Sequence, residues 1–183
     1  IELKANSLKG TIKTGRTHLM DAMPIDMSEE LFAWSSQLKS SKDMLKNLEK
    51  KLLELPQGGT AVGSGINAHK QFAKYFALEL TAIYRNRSKF VQSKNFYHEL
   101  SSQDCSVQLS GELKNLALIL MKISNDLRWM NSGPLAGLSE IELKALQPGS
   151  SIMPGKVNPV IPEAVSMASA DVIGNDVTVT VAS

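Results

Sequence analysis

The stretch that decides the fold spans residues 105–130 and reads CSVQLSGELKNLALILMKISNDLRWM. Its large apolar residues recur in unbroken, alternating steps of four and three: Leu109, Leu113, Leu116, Leu120, Ile123, Leu127 and Met130. This spacing is the heptad of a helix that packs against other helices, so the stretch predicts one long helix. The Asn-Ser-Gly-Pro sequence that follows at residues 131–134 is typical of a helix end.

A second stretch, residues 28–55, carries the same pattern, which only Ser41 interrupts. The repeating residues are Leu31, Trp34, Leu38, Leu45, Leu48, Leu52 and Leu55. Asp26 or Ser28 is suited to cap this helix, and Pro56 is suited to end it. Two such helices, each about 40 Å long at the usual rise per residue, need partner helices. The sequence therefore predicts an all-α fold built as a long antiparallel helix bundle.

The rest of the chain predicts shorter elements. Residues 68–86 form an apolar helical pattern, residues 87–103 are polar and indicate a loop, and residues 163–173 favour a helix. Residues 176–181 alternate in the manner of a strand. Residues 133–159 contain prolines and glycines at intervals and predict a long structured loop. A loop of that length in a compact domain is usually functional.

Composition limits the classes of protein that fit. A chain of 183 residues can bury a sizeable core, and a net charge of +2 does not indicate a nucleic-acid or membrane partner. The single cysteine, Cys105, excludes an intramolecular disulfide and suits a reducing, cytoplasmic location. We expect Cys105 to act as a small buried apolar residue. The chain lacks an initiator Met, so we expect it to be an excised fragment.

The predicted loop contains the sequence GSSIMPGKVN at residues 149–158. Two hydroxyls, one cation and one carboxamide lie close together there, and Gly149 and Gly155 allow backbone N–H groups to be exposed beside Lys156. Such donors beside a lysine suit a carboxylate or a developing oxyanion. The residues alone leave an anion-binding loop and a plain surface turn equally open.

Two further sequences accompany this one: GRTHLMDAMP at residues 15–24 and GGTAVGSGIN at residues 58–67. All three, in this order, resemble class II fumarases of the fumarase/aspartase superfamily, whose signature G-S-x-x-M-P-x-K-x-N is matched at every fixed position. The resemblance implies that residues 1–183 are part of the central helical-bundle domain, without the N-terminal and C-terminal domains. It also implies a helix, not a strand, through residues 176–183.

The resemblance implies the reversible hydration of fumarate to malate, a step of the citric acid cycle. It implies a small dicarboxylate substrate, no cofactor and no metal, and a homotetramer whose active sites are each assembled from three subunits. The isolated stretch is accordingly expected to be inactive. An aspartate ammonia-lyase or another lyase of the superfamily is the alternative, although ammonia-lyases usually carry Gln at the position of His18. A non-catalytic helical assembly module is the alternative from another class.

The resemblance also implies roles for particular residues. Ser150 would abstract the proton, Lys156 and Asn158 would bind a carboxylate, and Ser151 and Val157 would add substrate contacts. A serine is a poor base unless N–H groups and a cation favour its alkoxide, and the residues alone favour a turn hydroxyl for Ser150.

A second group of predicted site residues lies near the start of the chain. By resemblance, Thr17 binds substrate, His18 activates a water or the leaving hydroxyl, and Glu163 orients that histidine. An imidazole titrates near neutrality, which suits proton transfer. From the residues alone, His18 fits an ordinary loop histidine better than a catalytic one.

Overall fold

The computed structural model describes residues 1–85 and 87–183, and most of its elements are helices. The helices are α1 Glu2–Ser7, α2 Met27–Leu52, α3 Phe72–Ile83, α4 Phe96–Ser101, α5 Asp104–Met130 and α6 Val160–Ala182. The strands are β1 Ile12–Thr17, β2 Met20–Asp26, β3 Glu54–Leu55 and β4 Val91–Gln92. The all-α class predicted from the heptad patterns is therefore confirmed.

The two long predicted helices are present, with one correction. Helix α5 covers the predicted stretch 105–130, whereas α2 ends at Leu52, before the predicted end at Leu55. Residues 54 and 55 instead form β3, which pairs in parallel with β4. The helical placement of Leu55 was wrong because the residue before a proline, here Pro56, is disfavoured in the helical conformation.

The shorter elements depart further from prediction. The helix expected at 68–86 is α3, Phe72–Ile83, and Asn86 lies outside the described residues. The region 87–103, expected to be a loop, contains β4 and α4. Helix α4 begins where the Asn95 side chain accepts a hydrogen bond from the His98 N–H at 3.2 Å, a typical N-terminal cap.

Helix α6 continues through Ala182, so the strand suggested by alternation at residues 176–181 is wrong and the helix implied by the resemblance is confirmed. The alternating valines are not one buried face, because Val177 and Val181 are 62% and 81% exposed. The Thr180 hydroxyl donates to the Asp176 carbonyl at 2.8 Å, which satisfies this side chain inside the helix. The alternation of valine with polar residues at 176–181 therefore does not correspond to a buried face of a strand.

The chain divides into two compact units. The first unit comprises Ile1–Ser41 and Leu113–Asn175. Its core is formed by Ala5, Met27, Leu31, Trp34, Ile123 and Met130. Four of these residues are heptad positions of α2 and α5, so the predicted heptad residues supply most of the core of this unit. The Lys122 ammonium lies 5.6 Å from the centre of the Trp34 ring, a cation–π contact at the edge of the core.

The second unit comprises Lys42–Glu112 and Asp176–Ser183. The sequence GGTAVGSGIN forms turns that pack against α4 in this unit. Gly63 has a φ of +106°, and a Cβ at this position would lie 2.6 Å from the Tyr97 nitrogen. Both the backbone conformation and the close approach require glycine here.

Cys105 lies at the start of α5 in the second unit and is only partly buried, whereas the sequence analysis expected a small buried apolar residue. Partial burial, followed by the nearby Glu99 charge, raises the pKa of the thiol. The side chain is thus kept neutral near physiological pH. Within residues 1–85 and 87–183, no helix combines the length and apolar character that a membrane span requires.

Candidate active site

The loop predicted at 133–159 is present as an irregular segment between α5 and α6. Its GSSIMPGKVN part folds back on itself: the Ser150 N–H donates to the Lys156 carbonyl at 3.3 Å, and the Lys156 N–H donates to the Met153 carbonyl at 3.1 Å. A Cβ at Gly149 would lie 2.6 Å from the Lys156 oxygen, so this closure requires glycine. The fold-back places Ser150 and Lys156 at the neck of one turn.

The Ser150 side chain is partly buried and makes a local hydrogen bond. Its Oγ accepts the N–H of Ile152 at 3.2 Å, as the turn interpretation predicts. The same bond is relevant to catalysis, because an N–H directed at an oxygen stabilises that oxygen's ionised form. The Oγ is an acceptor in this bond, so the hydroxyl proton is not used by it. Both interpretations of Ser150 are therefore compatible with its geometry.

Several predicted site residues line one cavity in the first unit. The cavity has a volume of about 480 Å³. It is lined by Asn125, Arg128, Trp129, Asn131, Ser132, Gly133, Lys156, Val157, Asn158, Pro159 and Glu163. The structure thus brings Lys156, Val157, Asn158 and Glu163 together, whereas Ser150 and Ser151 are not among the lining residues. Two cations beside carboxamides are suited to bind a carboxylate.

Sequence reasoning missed Arg128, which adds the second cation to this cavity. Its Nη1 donates to Asn125 Oδ1 at 3.2 Å, one turn earlier on α5. Arg128 is the basic residue in the last turn of α5, directly before the Asn-Ser-Gly-Pro end. The sequence did contain a signal that could have identified Arg128, because a cation stands there at the end of a helix that leads into the predicted functional loop. Glu163 also lines this cavity; it lies in the first turn of α6 and is partly buried.

Thr17 and His18 lie at the tip of a β-hairpin that the sequence did not predict. Strands β1 and β2 pair antiparallel, with Thr17 opposite Met20, so His18 and Leu19 form a two-residue loop. Both loop residues have positive φ, 54° and 62°, as a type I′ turn requires. Such a turn favours the pair Asn-Gly, and the pair His18-Leu19 stands in its place, so the backbone at the tip is strained. The His18 side chain is exposed to solvent.

Replacing Leu19 with glycine should stabilise the full-length protein. The substitution removes the strain of a non-glycine residue in the left-handed conformation, which costs the folded state about 1–2 kcal/mol. Glycine also gives the unfolded chain more conformational freedom, which opposes folding by about 0.5–1 kcal/mol. The expected net gain is roughly 0.5–1 kcal/mol in the free energy of unfolding, measured by denaturant titration. Met20→Gly is the matched control, because Met20 lies in β2 and should lose stability. Equal loss in both variants would contradict the strained-tip assignment.

His18 lines a second cavity of about 740 Å³ in the first unit, apart from the cavity that contains Glu163. Thr17 lines neither cavity. Glu140 and Trp129 line the second cavity together with residues of the hairpin. Within one chain the structure thus does not join His18 to Glu163 or to Ser150. The resemblance implies that His18 and Ser150 serve one active site only when they come from different subunits, and this remains a prediction.

Four charged side chains link the hairpin to α2 and to the loop. Lys13 Nζ lies 2.6 Å from Glu30 Oε2 and 2.8 Å from Glu140 Oε2, and Arg16 Nη1 lies 2.5 Å from Glu140 Oε1. The Lys13–Glu140 contact is an ion pair whose angles do not make a hydrogen bond, whereas Arg16 donates one. The Lys13 and Glu140 side chains are only 8% and 10% exposed. These pairs are therefore shielded from solvent and salt.

The pKa values of this cluster follow from its contacts. Burial disfavours the ionised Glu140 carboxyl, but the close contacts and positive charges of Lys13 and Arg16 outweigh this effect and lower the pKa of Glu140. Burial also disfavours the Lys13 ammonium, and the carboxylates of Glu140 and Glu30 outweigh it and raise the pKa of Lys13. The Glu140 carboxylate and the Lys13 ammonium are therefore both ionised near neutral pH.

Metal-ligating side chains do not cluster in the part of the chain that the structure describes. No group of three or more His, Cys, Asp or Glu residues is placed to hold an ion there. His98 is instead exposed beside Asp104, with its Nε2 2.9 Å from the carboxylate, whose hydrogen bond raises the histidine pKa.

Comparison with known proteins identifies relatives along the whole chain. The profile of the lyase family matches residues 1–174. The chain is 56% identical over 182 residues to fumarate hydratase class II 2 of Pseudomonas aeruginosa, covering 100% of this chain and 39% of that protein. It is 54% identical over 182 residues to fumarate hydratase class II of Xylella fastidiosa, covering 100% of this chain and 38% of that protein.

Solved structures agree with these relatives. Recombinant class II fumarase from Schistosoma mansoni superposes with a TM-score of 0.94 at 37% identity, over 97% of this chain and 40% of that one. The cobalt-bound fumarate lyase:delta crystallin from Brucella melitensis gives 0.93 at 43% identity, over 98% and 39%. The chain therefore belongs to the lyase family, and its resemblance to class II fumarases, predicted from three sequence motifs, is confirmed.

Proposed function

We propose that the full-length protein containing this chain is a class II fumarate hydratase, which interconverts fumarate and malate in the citric acid cycle. The observation that carries the proposal is the cavity where Lys156, Asn158 and Arg128 converge, beside the Ser150 turn. Relatives named fumarate hydratase class II match the entire chain, which spans about 39% of their length. In this proposal residues 1–183 are part of a central helical-bundle domain.

The chemical difficulty lies in the proton on the carbon next to a carboxylate. Its loss from malate places a second negative charge on that carboxylate, and the neighbouring carbon must then release its hydroxyl with a proton to give fumarate and water. We assign the first proton to Ser150 and the charged carboxylate to Lys156 and Asn158, with Ser151 and Val157 as substrate contacts. The Ile152 N–H at 3.2 Å from Ser150 Oγ supports this role, because it stabilises the alkoxide.

The second half-reaction needs an acid at the leaving hydroxyl. We assign this step to His18, with Thr17 binding substrate and Glu163 orienting the imidazole from another subunit. The exposed hairpin tip supports a role between chains, because His18 is accessible to groups outside its own unit. A homotetramer is further supported by apolar heptad and neighbouring residues of α5 that remain exposed, such as Leu113 at 43% and Leu118 at 50%.

A cytoplasmic location is the matching proposal for the whole protein. The single cysteine of residues 1–183 supports it, because no disulfide can form within this part of the protein. The near balance of charge supports a small dicarboxylate as the partner, without nucleic acid or membrane.

The test is the absorbance of the fumarate double bond, followed with the full-length protein. Absorbance should fall when fumarate is hydrated and rise when malate is dehydrated, and a chelator should change neither rate. Aspartate supplied in place of malate should release no ammonia, which separates this activity from the aspartate ammonia-lyases. Turnover of aspartate, or activity lost with chelator and restored by a divalent ion, would contradict the proposal. Absence of any turnover would favour a non-catalytic assembly module.

A further inference from the structure

We propose that Glu140 is a positioning residue, which ties the hairpin that carries His18 to the loop that carries Ser150. The inference rests on the proposed hydratase function, since its readout is that reaction. Glu140 lies in the loop between α5 and α6, ten residues before Ser150, and its two carboxylate oxygens contact Lys13 and Arg16 of β1 separately.

Glu140 is itself fixed to the end of α5. Its N–H donates to the Met130 carbonyl at 2.8 Å, and the following residue, Ile141, donates to the same oxygen at 3.2 Å. The Asn131 side chain accepts the Leu143 N–H at 2.7 Å. Met130 is 4% exposed and belongs to the core of the first unit. The carboxylate is thus anchored on the rigid part of the unit and not on a free loop.

The hairpin has little apolar attachment of its own. Every residue of β2 except Asp26 is exposed. The large apolar residues of the hairpin are largely solvent-accessible: Ile12 66%, Leu19 77%, Met20 71% and Met23 80%. In β1 the less exposed positions are Lys13, Gly15 and Arg16. Contacts of the two cations, and not apolar area, therefore hold the hairpin against the rest of the first unit.

The strand pairing is distorted at the same place. Residues three apart in a regular strand point to opposite faces, yet Lys13 and Arg16 both reach Glu140. The register shifts between Thr14 and Arg16, where β2 contains one residue more than β1. A bulge of this kind bends the ladder and increases its twist, which lets two cations converge on one carboxylate. Arg16 lies two residues before His18, so this contact fixes the base of the strained tip.

Loss of the Glu140 carboxylate should therefore move His18 without removing any group that touches substrate. A displacement of about 1 Å at a catalytic group can cost on the order of 10²-fold in rate, even when the substitution is remote. The expected signature is a fall in kcat with little change in KM, because Lys156 and Asn158 still bind the carboxylate.

The experiment compares three variants of the full-length protein in the fumarate assay across pH. Glu140→Gln should lower kcat at least tenfold, change KM less than threefold, and displace the pH profile of kcat. Glu140→Asp keeps the charge and should recover part of the rate. Glu2→Gln is the matched control: it also breaks a carboxylate–lysine pair, with Lys39, but that pair is exposed and outside the cavities described here. It should leave all these quantities unchanged.

A second variant tests the same link from the hairpin side, in case Glu140→Gln folds poorly. Arg16→Met should reproduce the fall in kcat, and combining it with Glu140→Gln should add little, since both remove one contact. The proposal would be overturned if either variant lost thermal stability but kept its kcat within twofold of the wild-type value, or if only KM rose. It would also be overturned if the effects of Arg16→Met and Glu140→Gln on kcat were fully additive in the double variant. Failure of the hydratase function itself is distinguished by an inactive wild-type protein.

Discussion

Ser150→Ala should lower kcat of the full-length protein by about 10²- to 10⁴-fold while KM changes little, the range typical of a general base. Ser150 acts in the proposed mechanism only as the proton leaves carbon, so its contribution belongs to the transition state. The turn around it should survive, because the Ser150 N–H to Lys156 carbonyl bond involves the backbone alone. Steady-state kinetics in both directions and circular dichroism provide the measurement.

The control is Ser106→Ala. Ser106 is an exposed serine of α5 whose hydroxyl also makes a local bond, to Gln103 Oε1 at 3.2 Å, so the same atoms are removed in a similar setting. This variant should retain wild-type kinetics. If Ser150→Ala kept more than about a tenth of kcat, less than ~1.4 kcal/mol would have been lost. Ser150 could not then be the principal base, and the His18–Glu163 pair would become the leading candidate.

Lys156→Ala should reduce kcat/KM by roughly 150-fold, and the change should include a clear rise in KM. Removing a cation that pairs with a bound carboxylate costs about 3 kcal/mol, which corresponds to that factor. Lys156 would contact the carboxylate both before and during proton loss, so binding and rate fall together. Kinetics with fumarate and with malate, and the affinity of a non-reacting dicarboxylate, give the measurement.

Lys46→Ala is the matched control for this variant, because Lys46 is an exposed lysine on α2 outside the cavities described here. Its kinetics should equal those of the wild-type protein. A Lys156→Ala protein with unchanged KM and inhibitor affinity would assign the carboxylate to Arg128, the second cation of the cavity.

Periodicity was a reliable guide where side chains form the core. The heptad positions Leu31, Trp34, Ile123 and Met130 are buried, and the helices that carry them were predicted within a few residues. It failed at Leu55, where the neighbouring Pro56 overrides the pattern, and at the tail, where alternating valines are mostly exposed. Amphipathic pattern is informative only when one face is buried, which the tail does not satisfy.

The local sequence does not predict the hairpin. Its turn contains His18 and Leu19 in place of Asn-Gly, and β2 has no buried face to create an alternating pattern. The motif GRTHLMDAMP was recognised by resemblance alone, and its strand structure was not. Lys156, Val157 and Asn158, which were predicted to act together, line one cavity, and Glu163, which was predicted to act with His18, lines the same cavity. Arg128 and Glu140 could be found only from the three-dimensional contacts.

The two-residue loop at the hairpin tip limits which changes of length the chain can accept. Side chains alternate along a strand, so an inserted or deleted residue between Thr17 and Met20 would either turn His18 toward the opposite face or break the pairing beside it. Residues 144–148 of the irregular segment between α5 and α6 follow the hydrogen-bonded residues around Glu140 and have no such alternation. Insertions and deletions in related sequences should therefore occur within residues 144–148 and not in the hairpin.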